Sequence, residues 1–241
     1  AFSFTDIFEG WPPNVLIDPC GGLADIKNRK IRPVKKNVFL QDPCRMIRAV
    51  RLAQQLDFVL SNECAELIKS QHLKISLVAQ ERVRDELLEI LSGSQAQASL
   101  QLMDGLGLLC VIIPELKLSK GVTQPNEHYW DVFTHLIQTV GKLELILYRN
   151  NSTSDPVLNE LPSFAFMKEY FEDSIGDGYD RRVFLKLAGL LHDIGKPVTK
   201  TVEDNGRIRF LGHNLEGENL AENVMKRLSI FSSKVYNLTK F

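Results

Sequence analysis

The sequence predicts a mainly α chain: two successive helical bodies, with short β elements at the N-terminus and one β-hairpin late in the second body. Three observations predict it. Apolar residues recur at helical spacing over most of the chain from Asp42 onward, whereas short apolar runs bounded by turn residues are confined to the start. A polar, breaker-rich stretch from Lys117 to Pro125 divides the helical part in two. With 241 residues, 44% of them hydrophobic, the chain can bury a substantial core in one or two domains.

In chain order, Val15 to Ile17 is an apolar triplet, Asp18-Pro19-Cys20-Gly21-Gly22 a turn, and Ile31 to Val34 a second extended piece broken by Pro33. From Asp42 the period becomes helical. Met46, Ala49, Val50, Ala53 and Leu56 share one face while Arg45, Arg48 and Arg51 run along the other, and Asp42 with Pro43 suits an N-cap and first turn. Ser61 to Lys69, Gln80 to Leu91 and Gln95 to Leu106 read as amphipathic helices, with Gly105 and Gly107 as a stop before the apolar run Leu108 to Ile113. Asp131 to Leu147 reads as a strong helix and Arg149 to Ser163 as a long loop. Arg182 to Ile194 is a buried helix stopped by Gly195-Lys196-Pro197. Thr199 to Val202 and Ile208 to Phe210 bracket Asp204-Asn205-Gly206 as a hairpin, and a last helix runs from about Leu215 to Leu228.

The totals exclude several classes. At 24% charged residues, with no run of eighteen apolar residues, neither a disordered chain nor a membrane span fits. Cys20, Cys44, Cys64 and Cys110 contain no C-x-x-C pair, which argues against a zinc ribbon or a redox dithiol and for buried thiols in a reducing cytoplasm. Ala1 to Trp11 is not a charged-then-apolar leader, so the expected location is cytoplasmic. The formal charge of -1 hides an asymmetry: Lys27 to Arg51 holds nine basic residues against the single acid Asp42. Affinity for phosphate follows such a local field, not the sum.

Two constellations carry chemistry. In the second half, His128, Asp131 and His135 fall at offsets that share one face of a single predicted helix, and His192-Asp193 and His213 follow. Imidazoles with a carboxylate suit a first-row divalent ion with open positions, able to activate water near neutral pH. Asp193 follows the apolar helix Phe184 to Leu191, and a carboxylate buried there needs a metal or hydrogen bonds to compensate it. The competing reading is a satisfied core pair. In the first half, Asp42 and Arg45 at i and i+3 offer an acceptor and a donor that can imitate a Watson–Crick edge, with Arg48 and Arg51 placed for triphosphate or RNA backbone. Here the competing reading is a helix cap followed by solvated arginines.

Leu191-His192-Asp193-Ile194-Gly195-Lys196-Pro197, preceded by His135, resembles the HD phosphohydrolase signature. Phe39 to Arg51 resembles the EDxxR motif of the tRNA nucleotidyltransferase and poly(A) polymerase family, with Gln41 where the family has glutamate. Gln80 to Leu87 resembles the later neck motif of that family. The resemblance implies a remnant of the nucleotidyltransferase head over residues 1–36, a helical neck over 37–118 and an all-helical HD-type domain over 119–241. It implies Asp42, Arg45, Arg48, Arg51 and Arg82 as base and nucleotide contacts, with Arg82 beside Glu81 and Arg84 in support of the base-reading helix. It further implies His135, His192, Asp193 and, in part, His213 as metal ligands, and Lys196 and His128 as phosphate contacts. The superfamily pattern closes on a distant aspartate, yet none follows Asp204.

The implied partners are a tRNA or RNA 3′ end, CTP and ATP, with no membrane. The implied cofactors are a divalent ion (Mg, Mn or Ni) at the HD site and Mg for the head. The paired carboxylates and glycine-rich turn that nucleotidyl transfer needs are not found, and Asp6 and Asp18 do not supply them. The resemblance therefore implies that the chain begins near the end of the head and contributes base selection, RNA contacts and an accessory site to 3′-end processing. The alternatives are a stand-alone metal-dependent phosphohydrolase acting on phosphomonoesters or 2′,3′-cyclic phosphates, and a headless RNA-binding module.

Overall fold

A computed structural model describes residues 2–3, 16–125, 129–148, 166–176 and 178–230. The chain is mainly helical, with strands only as two-stranded pairs among the described residues. Strand β1 (Phe2–Ser3) pairs antiparallel with β2 (Leu16–Ile17). Helix α1 (Gly22–Lys27) follows the expected turn, where Asp18 accepts from the backbone N–H groups of Gly22 and Leu23 at 2.6 and 2.9 Å. Gly21 has φ of 73°, a left-handed conformation that costs glycine little. Strand β3 (Lys30–Ile31) ends before Pro33 and pairs parallel with β4 (Val59–Leu60), a strand too short for periodicity to reveal.

Helix α2 (Val38–Gln41) leads into α3 (Arg45–Leu56), which buries Met46, Ile47, Ala49, Val50 and Ala53. The expected N-cap is displaced: Cys44 is the N-cap of α3, while the extended Asp42 closes α2 and its carboxylate accepts from Cys44 N at 3.2 Å, in the turn between the two helices. Helix α4 (Asn62–Gln71) is capped by the Ser61 hydroxyl, which accepts from Cys64 N. Helices α5 (Gln80–Ser92) and α6 (Ala96–Gly105) match the predicted amphipathic spans, and Gly107 at φ of 80° makes the stop. The apolar run beyond it forms the short α7 (Leu109–Ile112) and a 3-10 turn over Pro114–Ser119. Cys44 and Cys64 are buried, Cys110 is half-buried and Cys20 exposed.

Helix α8 (Val132–Leu147) matches its prediction, with one correction. Asp131 is its N-cap and not a helical residue: the carboxylate accepts from Thr134 N at 2.9 Å and from Gly121 N at 2.6 Å. It is thereby committed to backbone and does not share a face with His135. The predicted loop from Arg149 to Ser163 lies outside the described residues, as does His128. Helix α9 (Met167–Glu172) and the pair β5 (Ser174–Gly176) with β6 (Tyr179–Asp180) have no counterpart in the sequence reading. Helix α10 (Arg181–Leu191) is capped by Asp180 and followed by the turn 192–195, α11 (Lys196–Thr199), the expected hairpin of β7 (Lys200–Val202) and β8 (Ile208–Phe210), and α12 (His213–Arg227).

One continuous apolar cluster runs from Phe39 to Ile230. Helix α10 lies along α8 so closely that a Cβ on Gly189 would stand 2.6 Å from Leu143 Cδ1. No described helix is long and apolar enough to cross a membrane. Two ionisable residues are buried where α8 and α10 meet the α5–α6 turn. Glu144 accepts from Ala96 N at 2.5 Å and Gln97 N at 3.3 Å, satisfying the first amides of α6. Lys186, fully buried, donates to Gly93 O at 2.7 Å and to the Tyr148 hydroxyl at 3.3 Å, with Glu144 3.9 Å away.

Burial lowers the Lys186 ammonium from its ordinary 10.5 to about 8, against the opposing pull of Glu144. Between those values the unfolded chain binds more protons than the folded one, so stability rises with pH across that window, while below it the cost of burying the charged ammonium is fully present and independent of pH. Relative to Lys186→Met, the wild-type chain should gain on the order of 3 kcal/mol between pH 8 and pH 10.5. Urea unfolding of both proteins across that range measures the difference; parallel curves would mean that Lys186 titrates as a solvated lysine.

Candidate functional site

The start of α3 gathers three of the expected nucleotide residues. Asp42 is held by Arg82 of α5, whose Nη2 donates to Oδ1 at 3.1 Å and to Oδ2 at 2.8 Å. Arg45 Nε stands 3.6 Å from the same carboxylate with its side chain 43% exposed, so the guanidinium remains open to a ligand. The Arg82 hydrogen bond holds the Asp42 carboxyl below the usual carboxylate range, outweighing the effect of partial burial. Cys44, buried between the two helices, places its thiol 3.6 Å from Arg82 O. The pair expected to read a base is thus braced by α5 through Arg82.

Arg48 and Arg51 lie further along the same helix, and both are bound to one residue that the sequence reading did not single out. Glu86, 5% exposed, accepts from Arg48 Nε at 2.7 Å on one oxygen and from Arg51 Nε at 2.6 Å on the other. Arg51 is further engaged by Gln55 and is largely covered, whereas Arg48 keeps 46% of its side chain exposed. The signal for Glu86 was its place six residues after Gln80, on the face of α5 that turns toward α3; only the packing reveals the contact. Arg84, next to it, donates to Ser229 O at 2.9 Å. In the basic stretch before α3, Arg29 and Arg32 pair with Asp57 and Asp25. Lys27, Lys30, Lys35 and Lys36 have no ion-pair partner among the described residues, which leaves their charge available to phosphate.

The second cluster forms where α8 meets the turn after α10. His135 Nε2 and His192 Nε2 are 3.2 Å apart, and Asp193 Oδ2 lies 3.3 and 3.2 Å from them. His192 Nδ1 faces Gly189 O at 2.8 Å, so donation there turns the Nε2 lone pair toward the cluster. His213 Nε2 stands at the rim, 3.6 Å from Asp193 Oδ1, its Nδ1 2.7 Å from Phe210 O. Gly195 makes that approach possible, because a Cβ there would overlap His213 O and Gly217 N at the start of α12. Lys196 Nζ is 2.7 Å from Asp193 Oδ2 and 2.8 Å from Gln124 Oε1.

This cluster fits a divalent ion. Three donor atoms at 3.2 to 3.3 Å from one another have the mutual spacing of ligands around a first-row ion with bonds of about 2.0–2.2 Å. Two imidazole nitrogens and a carboxylate crowded together need a shared cation, whether protons or a metal. Burial raises the Asp193 carboxyl, but hydrogen bonds from His135, His192 and Lys196 overcome it and leave the group well below the usual range. Burial in turn lowers the His192 imidazole and Asp193 more than offsets it, so the imidazole is raised. Asp131 is not among the converging ligands, and His128 lies outside the described residues.

Residues 57–119 match the family described as the probable RNA and SrmB-binding site of polymerase A, and residues 165–240 match the HD domain. Over 221 residues the chain is 32% identical to the A-adding tRNA nucleotidyltransferase of Deinococcus radiodurans, covering 89% of this chain and 44% of that protein. The chain belongs to the tRNA nucleotidyltransferase and poly(A) polymerase family. The CC-adding tRNA nucleotidyltransferase of Thermus thermophilus is 31% identical, covering 88% of this chain and 43% of that protein. The chain thus spans under half the length of these relatives. Among solved structures, a tRNA nucleotidyltransferase complexed with a primer tRNA and an incoming ATP analog shares the fold, with a TM-score of 0.57 at 22% identity over 95% of this chain and 51% of that one. Membership of the family together with the HD match implies dependence on a divalent metal.

Glu86→Ala would leave the guanidinium of Arg51 covered and unpaired, so urea unfolding should show a loss of about 2–4 kcal/mol, less than for a fully buried pair because Arg48 is partly solvated. In a double-mutant cycle with Arg51→Met the second change should recover part of that loss. Simple additivity would mean that Glu86 and Arg51 do not interact in solution.

Proposed function

We propose that this chain supplies the base-reading and RNA-contacting part of a protein that adds CMP or AMP from CTP or ATP to a tRNA 3′ end. The observation that carries this reading is the Asp42–Arg45 pair, braced by Arg82. Cytosine and adenine each present an exocyclic amino donor beside a ring acceptor. A carboxylate can accept from the first while a guanidinium donates to the second. Uracil and guanine present a carbonyl where the amino group would be, which faces the carboxylate unfavourably. Arg82 donates to both oxygens of Asp42 and Cys44 N also to Oδ1, which leaves Oδ2 with a lone pair for the base. Arg48 and the lysines before α3 meet phosphate, and the identities of the similar proteins agree with a tRNA partner. Gln41 in place of glutamate keeps a hydrogen-bonding group without a charge, and both A-adding and CC-adding proteins are among the relatives.

A second reading concerns the other cluster, and the converging His135, His192 and Asp193 favour it. These three residues would hold the metal, with His213 at the rim and Lys196 beside a bound phosphate. A bound Mg, Mn or Ni ion would polarise a phosphate ester and lower the pKa of water. The chain's own contribution is to orient His192 through Gly189 O and to hold Lys196 at the edge of the cluster. With an HD centre of this kind, phosphomonoesters or 2′,3′-cyclic phosphates are the substrates.

For the first reading, CTP and ATP should bind the chain at low salt. Asp42→Ala and Arg45→Ala should each weaken binding by roughly tenfold to a hundredfold, with discrimination against UTP and GTP lost as well; equal affinity for all four nucleotides in the wild type would end this reading. For the second, turnover of 2′,3′-cyclic AMP should require nickel, manganese or magnesium and disappear in His192→Ala and Asp193→Ala. Turnover unchanged in both variants would remove the cluster from the chemistry.

A further inference from the structure

Asn205-Gly206 is the only Asn-Gly pair in the chain, and it forms the tip of the β7–β8 hairpin. Two backbone bonds hold the turn, Gly206 N–H to Glu203 O at 2.8 Å and Glu203 N–H to Arg207 O at 2.9 Å, with Gly206 at φ of 81°. A third bond involves the side chain: Arg207 N–H donates to Asn205 Oδ1 at 2.8 Å. It closes a turn in which the carboxamide folds back along its own chain, past the intervening Gly206 peptide. Asp204, Asn205, Gly206 and Arg207 are all exposed, and a Cβ on Gly206 would meet nothing within 4 Å. These are the parts of a reaction that needs no enzyme. A backbone nitrogen can attack the carboxamide carbon of the asparagine before it, and two things oppose the attack: a side chain on the attacking residue, and charge developing unsupported on the carboxamide oxygen. Gly206 removes the first. The Arg207 N–H removes the second, because it is aimed at the oxygen that turns negative in the transition state. What remains is the bond from Gly206 N–H to Glu203 O, a single exposed bond at a loop tip, where local opening is least costly.

We propose that Asn205 is a self-modification site, converting in the folded chain to aspartate and isoaspartate and loosening the hairpin as it does so. The Gly206 nitrogen gives its proton to hydroxide and bonds to Asn205 Cγ. The Cγ–Nδ2 bond breaks, and the side-chain nitrogen leaves as ammonia with a proton taken from water. Water then opens the five-membered imide at either carbonyl. Opening at Cγ leaves an aspartyl residue with the ordinary backbone. Opening at the main-chain carbonyl leaves the isoaspartyl form, whose main chain runs through Cβ and Cγ and is one carbon longer. Three registered pairs hold β7 to β8, and the pair next to the turn is Val202 with Ile208, so the longer turn acts first on that closing pair. The hairpin reaches the His-Asp cluster at its other end, where Phe210 O stands 2.7 Å from His213 Nδ1. Conversion at the tip therefore weakens the support of a residue at the rim of that cluster.

The test incubates the full folded chain near neutral pH in water enriched in heavy oxygen, beside the same chain unfolded in guanidinium chloride, and follows peptides containing Asn205 by chromatography and mass spectrometry. Conversion replaces the carboxamide nitrogen by oxygen from the labelled water and gives separable aspartyl and isoaspartyl products. Asn205 should convert in the folded chain at a rate within about tenfold of the unfolded one, ahead of every other asparagine, and faster as the pH is raised. Asn205→Gln, which would have to close a six-membered ring, should leave the position intact. Asn205→Asp carries the added charge on an ordinary backbone, so trypsin should cut after Arg207 and Arg209 faster in the aged wild type than in that variant. Asn205 intact in the folded chain while it converts in the unfolded one would overturn the proposal, by showing that the Gly206 bond to Glu203 guards the site. Earlier conversion at another asparagine of the folded chain would overturn it as well. Equal cutting of the aged chain and Asn205→Asp would overturn the loosening of the hairpin, and with it the connection to His213.

Discussion

A carboxylate buried without a partner costs several kcal/mol, a large share of the stability of any domain of this size. Among the described residues three are buried, Glu86, Glu144 and Asp193, and each is neutralised or hydrogen-bonded from a different element. Glu86 on α5 takes Arg48 and Arg51 from α3, Glu144 on α8 takes the first amides of α6, and Asp193 takes Lys196 together with His135 of α8. Apolar packing alone tolerates small slips between helices, since one Leu against another differs little from its neighbour one turn away. A buried carboxylate does not tolerate them. Each therefore fixes the relative placement of the elements it joins, and the two candidate sites stand on those joints.

The helices and the hairpin were legible in the sequence because their signals are local. Gly107 announces a stop and Asp204-Asn205-Gly206 a tight turn, and each appears in that role, whereas the cap expected at Asp42 falls two residues later at Cys44. What the sequence concealed is short or non-local. The strand β4 has two residues and is paired to β3 across a whole helix, and the β5–β6 pair is too brief for alternation to register. Asp131 shows the hazard of reading spacing without boundaries. Its offset from His135 suits one helical face, but the helix starts one residue later and the carboxylate turns to the backbone. His135 and His192, 57 positions apart, were grouped from residue chemistry as one constellation, and the resemblance then named them with Asp193 as the ligand set.

Electrostatics explains why the basic stretch and the near-neutral total coexist. Arg51 is spent on Glu86 and Arg32 on Asp25, whereas Arg48 pairs with Glu86 yet stays half-exposed and Arg29 makes only a solvent-exposed pair with Asp57. The lysines of the same stretch carry no such partner among the described residues, and lysine suits contacts that slide along a phosphate backbone, where a fixed fork offers less advantage. The arginine that stays open, Arg45, sits beside the one carboxylate able to complement it. The division of labour between the two residue types follows from their geometry: planar guanidinium groups where orientation is needed, point charges where it is not.

The two candidate sites lie on different helices, yet the neck helix α5 connects them mechanically. Its face toward α3 carries Arg82 and Glu86, which hold Asp42 and the α3 arginines. Its other contacts run to the second half of the chain: Arg84 to Ser229 O, Glu81 to the Ser229 hydroxyl, Glu89 to the Tyr179 hydroxyl, and Gly93, just past its end, to Lys186. A helix fixed at only one face could rock by an ångström and carry Arg82 away from Asp42, and base discrimination by paired hydrogen bonds fails over such a distance. On the reading proposed for Asp42 and Arg45, the second half of the chain would contribute to base reading whether or not its own cluster performs chemistry, by removing the freedom that α5 would otherwise have. That gives a physical reason for the two halves to share one continuous core and not be joined by a bare linker.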